Sequence, residues 1–212
     1  MNRPMEILRD TRESGRGSFW GRNWVRALRL LRTPWHRLRF RHFGTRSRID
    51  FPARIVGADV IEIGSGVLIH HNVRLEAHFT LDRQTRVRIG DGTHIAPYVH
   101  IGGAGLVEIG RECGIGSFSW ITDHDHDATD PRRSVVDHMR VVISPTVIED
   151  GVYIGERVAV LRGVRIGRGS VIGTNSVVTR DIPPYSIAVG APARVIRSFD
   201  VETGVWKSVD DR

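Results

Sequence analysis

At 212 residues, with 40% apolar side chains and a formal net charge of +7, the chain has length for one domain with extensions and enough apolar material for a sizeable core. No apolar run reaches the roughly 18 residues that a membrane-spanning helix needs, and a single cysteine, Cys113, excludes an internal disulfide. The charge is uneven: residues 1–50 hold 13 arginines against Glu6, Asp10, Glu13 and Asp50 and carry +9, while the remainder sums to −2.

Residues 1–18 are polar and rich in Arg, Ser and Gly, which predicts a tail or a short helix. No apolar segment followed by a cleavage site opens the chain, so a reducing, cytoplasmic setting is expected. Residues 19–43 read FWGRNWVRALRLLRTPWHRLRFRHF. Trp24, Ala27, Leu28 and Leu31 share one helical face, with Arg22, Arg26, Arg29 and Arg32 around it. Pro34 interrupts, and Trp35, Leu38 and the Arg37–Arg39–Arg41 run follow. Two readings stand for this basic amphipathic stretch. It caps the domain that follows, or it touches an anionic membrane surface at its inner face. No recognition motif accompanies the charge, so nucleic acid is not an expected partner.

From Ile49 onward an aliphatic residue returns about every six positions. The frame runs Ile49, Ile55, Ile61, slips two residues to Ile63, and continues through Ile69, Leu75 and Leu81 to Val87. It slips again to Ile89, runs to Ile101, and slips by way of Val107 to Ile109, Ile115 and Ile121. Each slip is expected to bulge a corner without losing the inward face. The most regular stretch, Val142–Pro184, repeats at Val142, Ile148, Ile154, Val160, Ile166, Ile172 and Val178. A small or β-branched residue follows four places later in each repeat. A strict period of six fits neither a helix nor a simple amphipathic strand. It fits a solenoid in which each hexad is one flat face of a parallel β-helix, three faces to a coil and about seven coils in all. Gly116, Gly155, Gly167 and Gly173, at the second place of their hexads, are expected to sit at tight corners. Cys113 falls at a small internal place and reads as a buried filler. The frame breaks once, over residues 122–141, and long loops on rigid scaffolds tend to carry function. After Pro183–Pro184 the solenoid ends in a tail, expected to finish in a short helix.

The block IGERVAVLRGVRIGRGSVIGTNSVVTRDIPPYSIAVGAPARVIR, Ile154–Arg197, resembles the C-terminal end of the hexapeptide-repeat acyltransferases. It is closest in character to the sugar O-acetyltransferases that act on galactosides, maltose and bacterial polysaccharides. The resemblance covers residues 49–197. It implies an all-β solenoid, a left-handed parallel β-helix over 49–190. An N-terminal α-helical extension over 1–48 and a C-terminal tail over 191–212 would flank it. It also implies a homotrimer with the site between subunits, acetyl-CoA as acyl donor, a saccharide acceptor, and direct transfer to a hydroxyl with a histidine as general base.

The interrupted loop opens Asp123-His124-Asp125-His126-Asp127. Such a cluster can bind metal, can be a solvated loop, or can hold a general base oriented by a carboxylate. The family's essential histidine stands five places after the last aliphatic residue before the loop. From Ile121 that count gives His126, with His124 the second candidate and Asp123 or Asp125 to hold the ring. For CoA the resemblance implies Tyr153, Gly155, Gly173, Thr174, Thr179 and Arg180, with Arg194 and Arg197 in the basic stretch; no metal is implied. The galactoside enzymes contact sugar through an Asn and an Asp, where this chain has Ala96 and Ala104. That points away from a simple galactoside toward polysaccharide or glycolipid precursors. His94 and His100, six apart, are read as stacked on one face. Alternatives are an amino-sugar N-acetyltransferase and, more distantly, a metal lyase like the γ-class carbonic anhydrases or a non-catalytic scaffold.

Overall fold

The computed structural model describes residues 35–78 and 84–209. Three parallel sheets form the faces of a triangular prism. The first face holds six strands: His42–Phe43, Ile61–Ile63, Val87–Ile89, Val107–Ile109, Thr146–Ile148 and Arg165–Ile166. The second begins with Arg48–Ile49, Leu68–Ile69, His94–Ile95, Gly114–Ile115, Tyr153–Ile154, Val171–Ile172 and Ser186–Gly190. The third holds Arg54–Val56, Arg74–Ala77, His100–Gly103, Trp120–Thr122, Ala159–Val160 and Val177–Val178. The chain visits the faces in that order in every coil, which is the expected left-handed parallel β-helix.

The hexad aliphatics build the core as three columns. Ile63, Ile89, Ile109, Ile148 and Ile166 stack on the first face. Ile69, Ile95, Ile115, Ile154 and Ile172 stack on the second. Leu75, Ile101, Ile121, Val160 and Val178 stack on the third. All are buried, and each contributes about 1.5–3 kcal/mol relative to exposure. The small residue four places later threads consecutive coils together. The Ser119 hydroxyl donates to Gly155 O (3.0 Å) and accepts from the Val158 N–H (3.1 Å). Ser47, Thr93 and Ser170 do the same elsewhere. Cys113 follows the pattern, its buried thiol donating to Glu149 O at 3.2 Å.

Several local readings change. Positive φ falls at the fourth place of the hexad, on Gly151, Arg157, Gly163, Gly169 and Asn175, and not on the second-place glycines. Those glycines are needed for close approach between coils: a Cβ on Gly116 would lie 2.5 Å from Gly155 C, and one on Gly167 2.3 Å from Pro184 N. The two-residue slips lengthen the first-face strands and the corner before them. At the first slip the corner is a 3-10 turn, Ala58–Val60. The first described strand is His42–Phe43, ahead of Ile49. Phe40 and Phe43 are buried beside His36 and close that end of the core. Residues 35–39 are helical; the amphipathic stretch before them and Leu81 lie outside the described residues.

Val142 is not a coil residue. Val141–Ile143 pairs antiparallel with His124–His126, and the coil resumes at Thr146. The expected loop is thus a hairpin standing on the third face, with a one-turn helix, Val135–His138, near its tip. The C-terminal residues also differ from the expected helical tail. Ala193–Asp200 folds back antiparallel on Ser186–Gly190, and Val205–Ser208 pairs with it, extending the second sheet to nine strands. Asp200 organises that turn. Its carboxylate accepts the Glu202 and Thr203 N–H groups (both 3.0 Å) and pairs with Lys207. These contacts, the Lys207 bond foremost, draw its pKa down to about 2.

Candidate active site

Outward residues of a third-face strand alternate with the core column, so Glu76, Gly102 and Thr122 form one row and Arg74, His100 and Trp120 the next. The hairpin rises from the end of Trp120–Thr122. Beneath it lies a cavity of about 160 Å³ lined by His78, His100, Gly102, Trp120, Thr122, His124, Asp125 and His126.

Asp123 is fully buried where the chain leaves the coil. Its Oδ1 accepts the Ala104 N–H at 2.8 Å and its Oδ2 the Gly105 N–H at 2.6 Å. Gly105 lets the returning hairpin strand pack down at this point: a Cβ there would lie 2.6 Å from Ile143 Cγ2. The same Oδ1 lies 2.9 Å from His124 Nδ1. An ionised carboxylate only accepts, so the proton of a neutral His124 sits on Nδ1 and the lone pair on Nε2. Thr122 Oγ1 also lies 3.1 Å from Nδ1. The result is an imidazole with a fixed plane and tautomer beside a cavity.

His126, two residues along the same strand, lines the same cavity, but its side chain is exposed and no hydrogen bond holds its ring among the described residues. Asp125 does not orient either histidine. Its Oδ2 accepts from Arg162 Nε at 2.8 Å, tying the hairpin to the following coil.

Residues that the hexad count passed over complete the cavity. His100 and His94 do not share a face: six residues carry the chain to the next face, and stacking on one face takes a whole coil. His94 lies between Leu68 and Gly114 on the second face, and His100 between Arg74 and Trp120 on the third. His100 Nε2 lies 3.0 Å from Glu76 Oε2, and its ring stacks on Trp120 at 5.7 Å and 18°. The Glu76 carboxylate is only 6% exposed and also binds Arg54 Nε (2.6 Å) and Arg74 Nη2 (2.9 Å). Although burial opposes it, these bonds hold Glu76 below the usual carboxylate range. Burial lowers the pKa of His100, with Arg74 adding to the effect against Glu76. Burial and then the neighbouring His124 lower that of His78, whose ring sits 5.5 Å away, edge to face. Among the described residues no group of three His, Cys, Asp or Glu side chains is placed to hold a metal ion.

The residues expected for CoA lie toward the C-terminal coils. Tyr153 is exposed on the second face, and Gly155, Gly173 and Thr174 occupy the corner between the second and third faces. Thr179 and Arg180 follow the last third-face strand, and Arg194 and Arg197 are exposed on Ala193–Asp200. Below Trp120 the outward column of the third face continues as Ala159 and Val177, a shelf of short side chains running from the cavity to that end. Ala104 is buried and serves Asp123 through its N–H.

Comparison with known proteins agrees with this architecture. Residues 145–180 match the family model described as bacterial transferase hexapeptide (six repeats). The WbbJ protein of Escherichia coli K12, whose name assigns it provisionally to O-acetyl transfer in lipopolysaccharide biosynthesis, is 35% identical over 165 residues, 75% of this chain and 82% of that protein. The hexapeptide-repeat acetyltransferase VCA0836 of Vibrio cholerae, solved with acetyl-CoA, superposes with a TM-score of 0.54 at 30% identity, covering 81% of this chain and 78% of its own. The N-acyltransferase AntD of Bacillus cereus, solved with dTDP and 3-hydroxybutyryl-CoA, shares the fold with a TM-score of 0.68 at 24% identity, over 80% of this chain and 89% of its own.

Proposed function

The chain belongs to the bacterial hexapeptide-repeat transferases, and from that premise we propose that it moves an acetyl group from acetyl-CoA to a hydroxyl of a saccharide, with His124 as general base. The observation that carries the assignment is the Asp123–His124 pair at the cavity. Nε2 of His124 takes the acceptor proton as that oxygen attacks the thioester carbonyl. The C–S bond then breaks, and the proton passes to the departing thiolate. No acyl-enzyme is needed, since the base acts on the acceptor directly.

Saccharide transfer draws support from the name of the E. coli relative, and acetyl-CoA from the ligand of the V. cholerae structure. A hydroxyl acceptor is favoured over an ammonium by the carboxylates, since each one beside the cavity among the described residues is already paired. Asp123 holds two backbone N–H groups and His124, Asp125 holds Arg162, and Glu76 holds two arginines and His100. The shelf of Ala159 and Val177 suits an extended pantetheine arm, with Thr179, Arg180, Arg194 and Arg197 at its far end for the phosphates. A second copy packed against the third face would close that shelf, which is the reading that favours a homotrimer; sedimentation equilibrium tests it. No helix among the described residues is long and apolar enough to cross a membrane. Peripheral contact through residues 19–43 is tested by flotation with anionic vesicles, which charge reversal at Arg26, Arg29 and Arg32 would abolish.

The deciding experiment is calorimetric titration with acetyl-CoA, coupled to a thiol-release assay on a saccharide panel. His124→Ala is expected to bind the donor as the wild type does and to lose turnover, and His126→Ala to keep it. An inactive His126→Ala beside an active His124→Ala would move the base to His126. No donor binding by the wild type would end the acyltransferase reading.

A further inference from the structure

A buried carboxylate at an outward strand position needs a reason. Glu76 stands on the solvent side of the third face, yet its carboxylate is held almost dry by Arg54, Arg74 and His100. Burying an ion costs several kcal/mol before its partners return it. What the arrangement achieves is to fix one imidazole. Nε2 of His100 must carry its proton toward the carboxylate, so the neutral ring has one lone pair left, on Nδ1. Stacking on Trp120 fixes the plane.

We infer that His100 is the acceptor-positioning residue of this site, receiving a hydrogen bond from a hydroxyl adjacent to the one that His124 deprotonates. The inference rests on the saccharide-transfer reading above.

Two carboxylate-held imidazoles therefore flank one small space. Gly102 lies between them: a Cβ on it would sit 3.4 Å from His124 Cε1 and 3.6 Å from His100 Nε2. The absent side chain keeps the space between the two rings open, and both rings line the same cavity. Burial and Arg74 favour the uncharged form of His100, which can accept a hydroxyl proton where an imidazolium could not. Trp120 is 54% exposed and offers a flat apolar surface beside that acceptor. A pyranose carries the matching pair, an apolar ring face with hydroxyls at its edge. The ligand class is a neutral ring polyol with two neighbouring hydroxyls.

The test uses the full chain with acetyl-CoA, methyl pyranosides and their mono-deoxy analogues. Hydrolysis of acetyl-CoA, with water as acceptor, reports the His124 step alone. His100→Ala is expected to lower kcat/KM for the best saccharide at least tenfold while leaving acetyl-CoA affinity and hydrolysis within about twofold. One deoxy analogue should be a poor substrate for the wild type and no poorer than its parent for His100→Ala. His100→Gln, whose amide still reaches Glu76, should keep the wild-type melting temperature and show the same saccharide defect. Equal loss of hydrolysis and transfer, or a deoxy penalty unchanged in His100→Ala, would overturn the inference while leaving the acyltransferase reading standing. A wild type that neither binds acetyl-CoA nor releases its thiol would overturn both.

Discussion

Asp123→Asn separates a catalytic dyad from a merely structural carboxylate. The wild-type carboxylate is fully buried and accepts three bonds, from Ala104 N–H, Gly105 N–H and His124 Nδ1. An asparagine has one acceptor oxygen. With that oxygen in the place of Oδ1, two bonds survive and the amide NH2 meets the Gly105 N–H. With the oxygen in the place of Oδ2, only the Gly105 bond survives, and the NH2 donates to His124 Nδ1, forcing the ring proton onto Nε2. The first orientation is the cheaper. It forfeits one charge-assisted bond and leaves two buried donors unmet, the Gly105 N–H and the new amide NH2, together about 3 kcal/mol or more. For a domain of this size that is a fall in melting temperature of about 6–12 °C. The two surviving bonds lose their full negative partner, and any population of the second orientation removes the base. The expected loss in kcat is about 10²–10⁴-fold, with acetyl-CoA affinity unchanged. Thermal unfolding and the thiol-release assay, run on one preparation, read both quantities. An Asp123→Asn protein that melts lower yet keeps kcat within about threefold would refute the dyad and reduce Asp123 to a support for the hairpin.

Gly102→Ala has a backbone conformation open to alanine and ordinary contacts for its methyl, so it should fold normally. The methyl takes the space between His124 and His100, and the acceptor KM should rise about tenfold with hydrolysis of acetyl-CoA retained. Gly116→Ala should lose about 2 kcal/mol or more, because its Cβ would meet the Gly155 backbone at 2.5 Å, and denaturant unfolding reads that loss. Acid stability follows from His78 and His100, both lowered by burial. The unfolded chain binds their protons first, so their contribution is intact above the ordinary histidine pKa of 6.5 and is lost as pH falls through the lower folded values. Glu76 adds its own loss only below the ordinary 4.5. The free energy of unfolding should therefore drop between pH 7 and pH 5, by at most about 1.4 kcal/mol per pH unit for each histidine, with the melting temperature falling in step, and a His78→Asn/His100→Asn protein should show a flatter profile.

The core was legible because a solenoid converts period directly into position. Ile148, Ile154 and Val160 fall on three faces for the same reason that they fall six apart. The site was not legible in the same way, since it sits where the period fails. Val142 keeps the phase by coincidence and belongs to the hairpin. His126 and His124 both point to one side of the hairpin strand, so counting along the chain ranks them without seeing what separates them. The difference is Asp123, whose partners Ala104 and Gly105 lie a coil earlier, beyond any local motif. The Glu76–His100–Trp120 grouping was hidden by irregular coil lengths. Arg74 meets His100 26 residues on, and His100 meets Trp120 after 20, where the regular coils would give 18 between the Ile148 and Ile166 partners. The extra residues between Ala77 and Val87 part Arg74 and Glu76 from His100 along the chain, while His94, only six residues before His100, lies one face away. Any chain of this fold that carries an insertion before its third coil should be indexed by face before its polar residues are grouped. Here that indexing alone brings His100 and the buried Glu76 together beside Gly102.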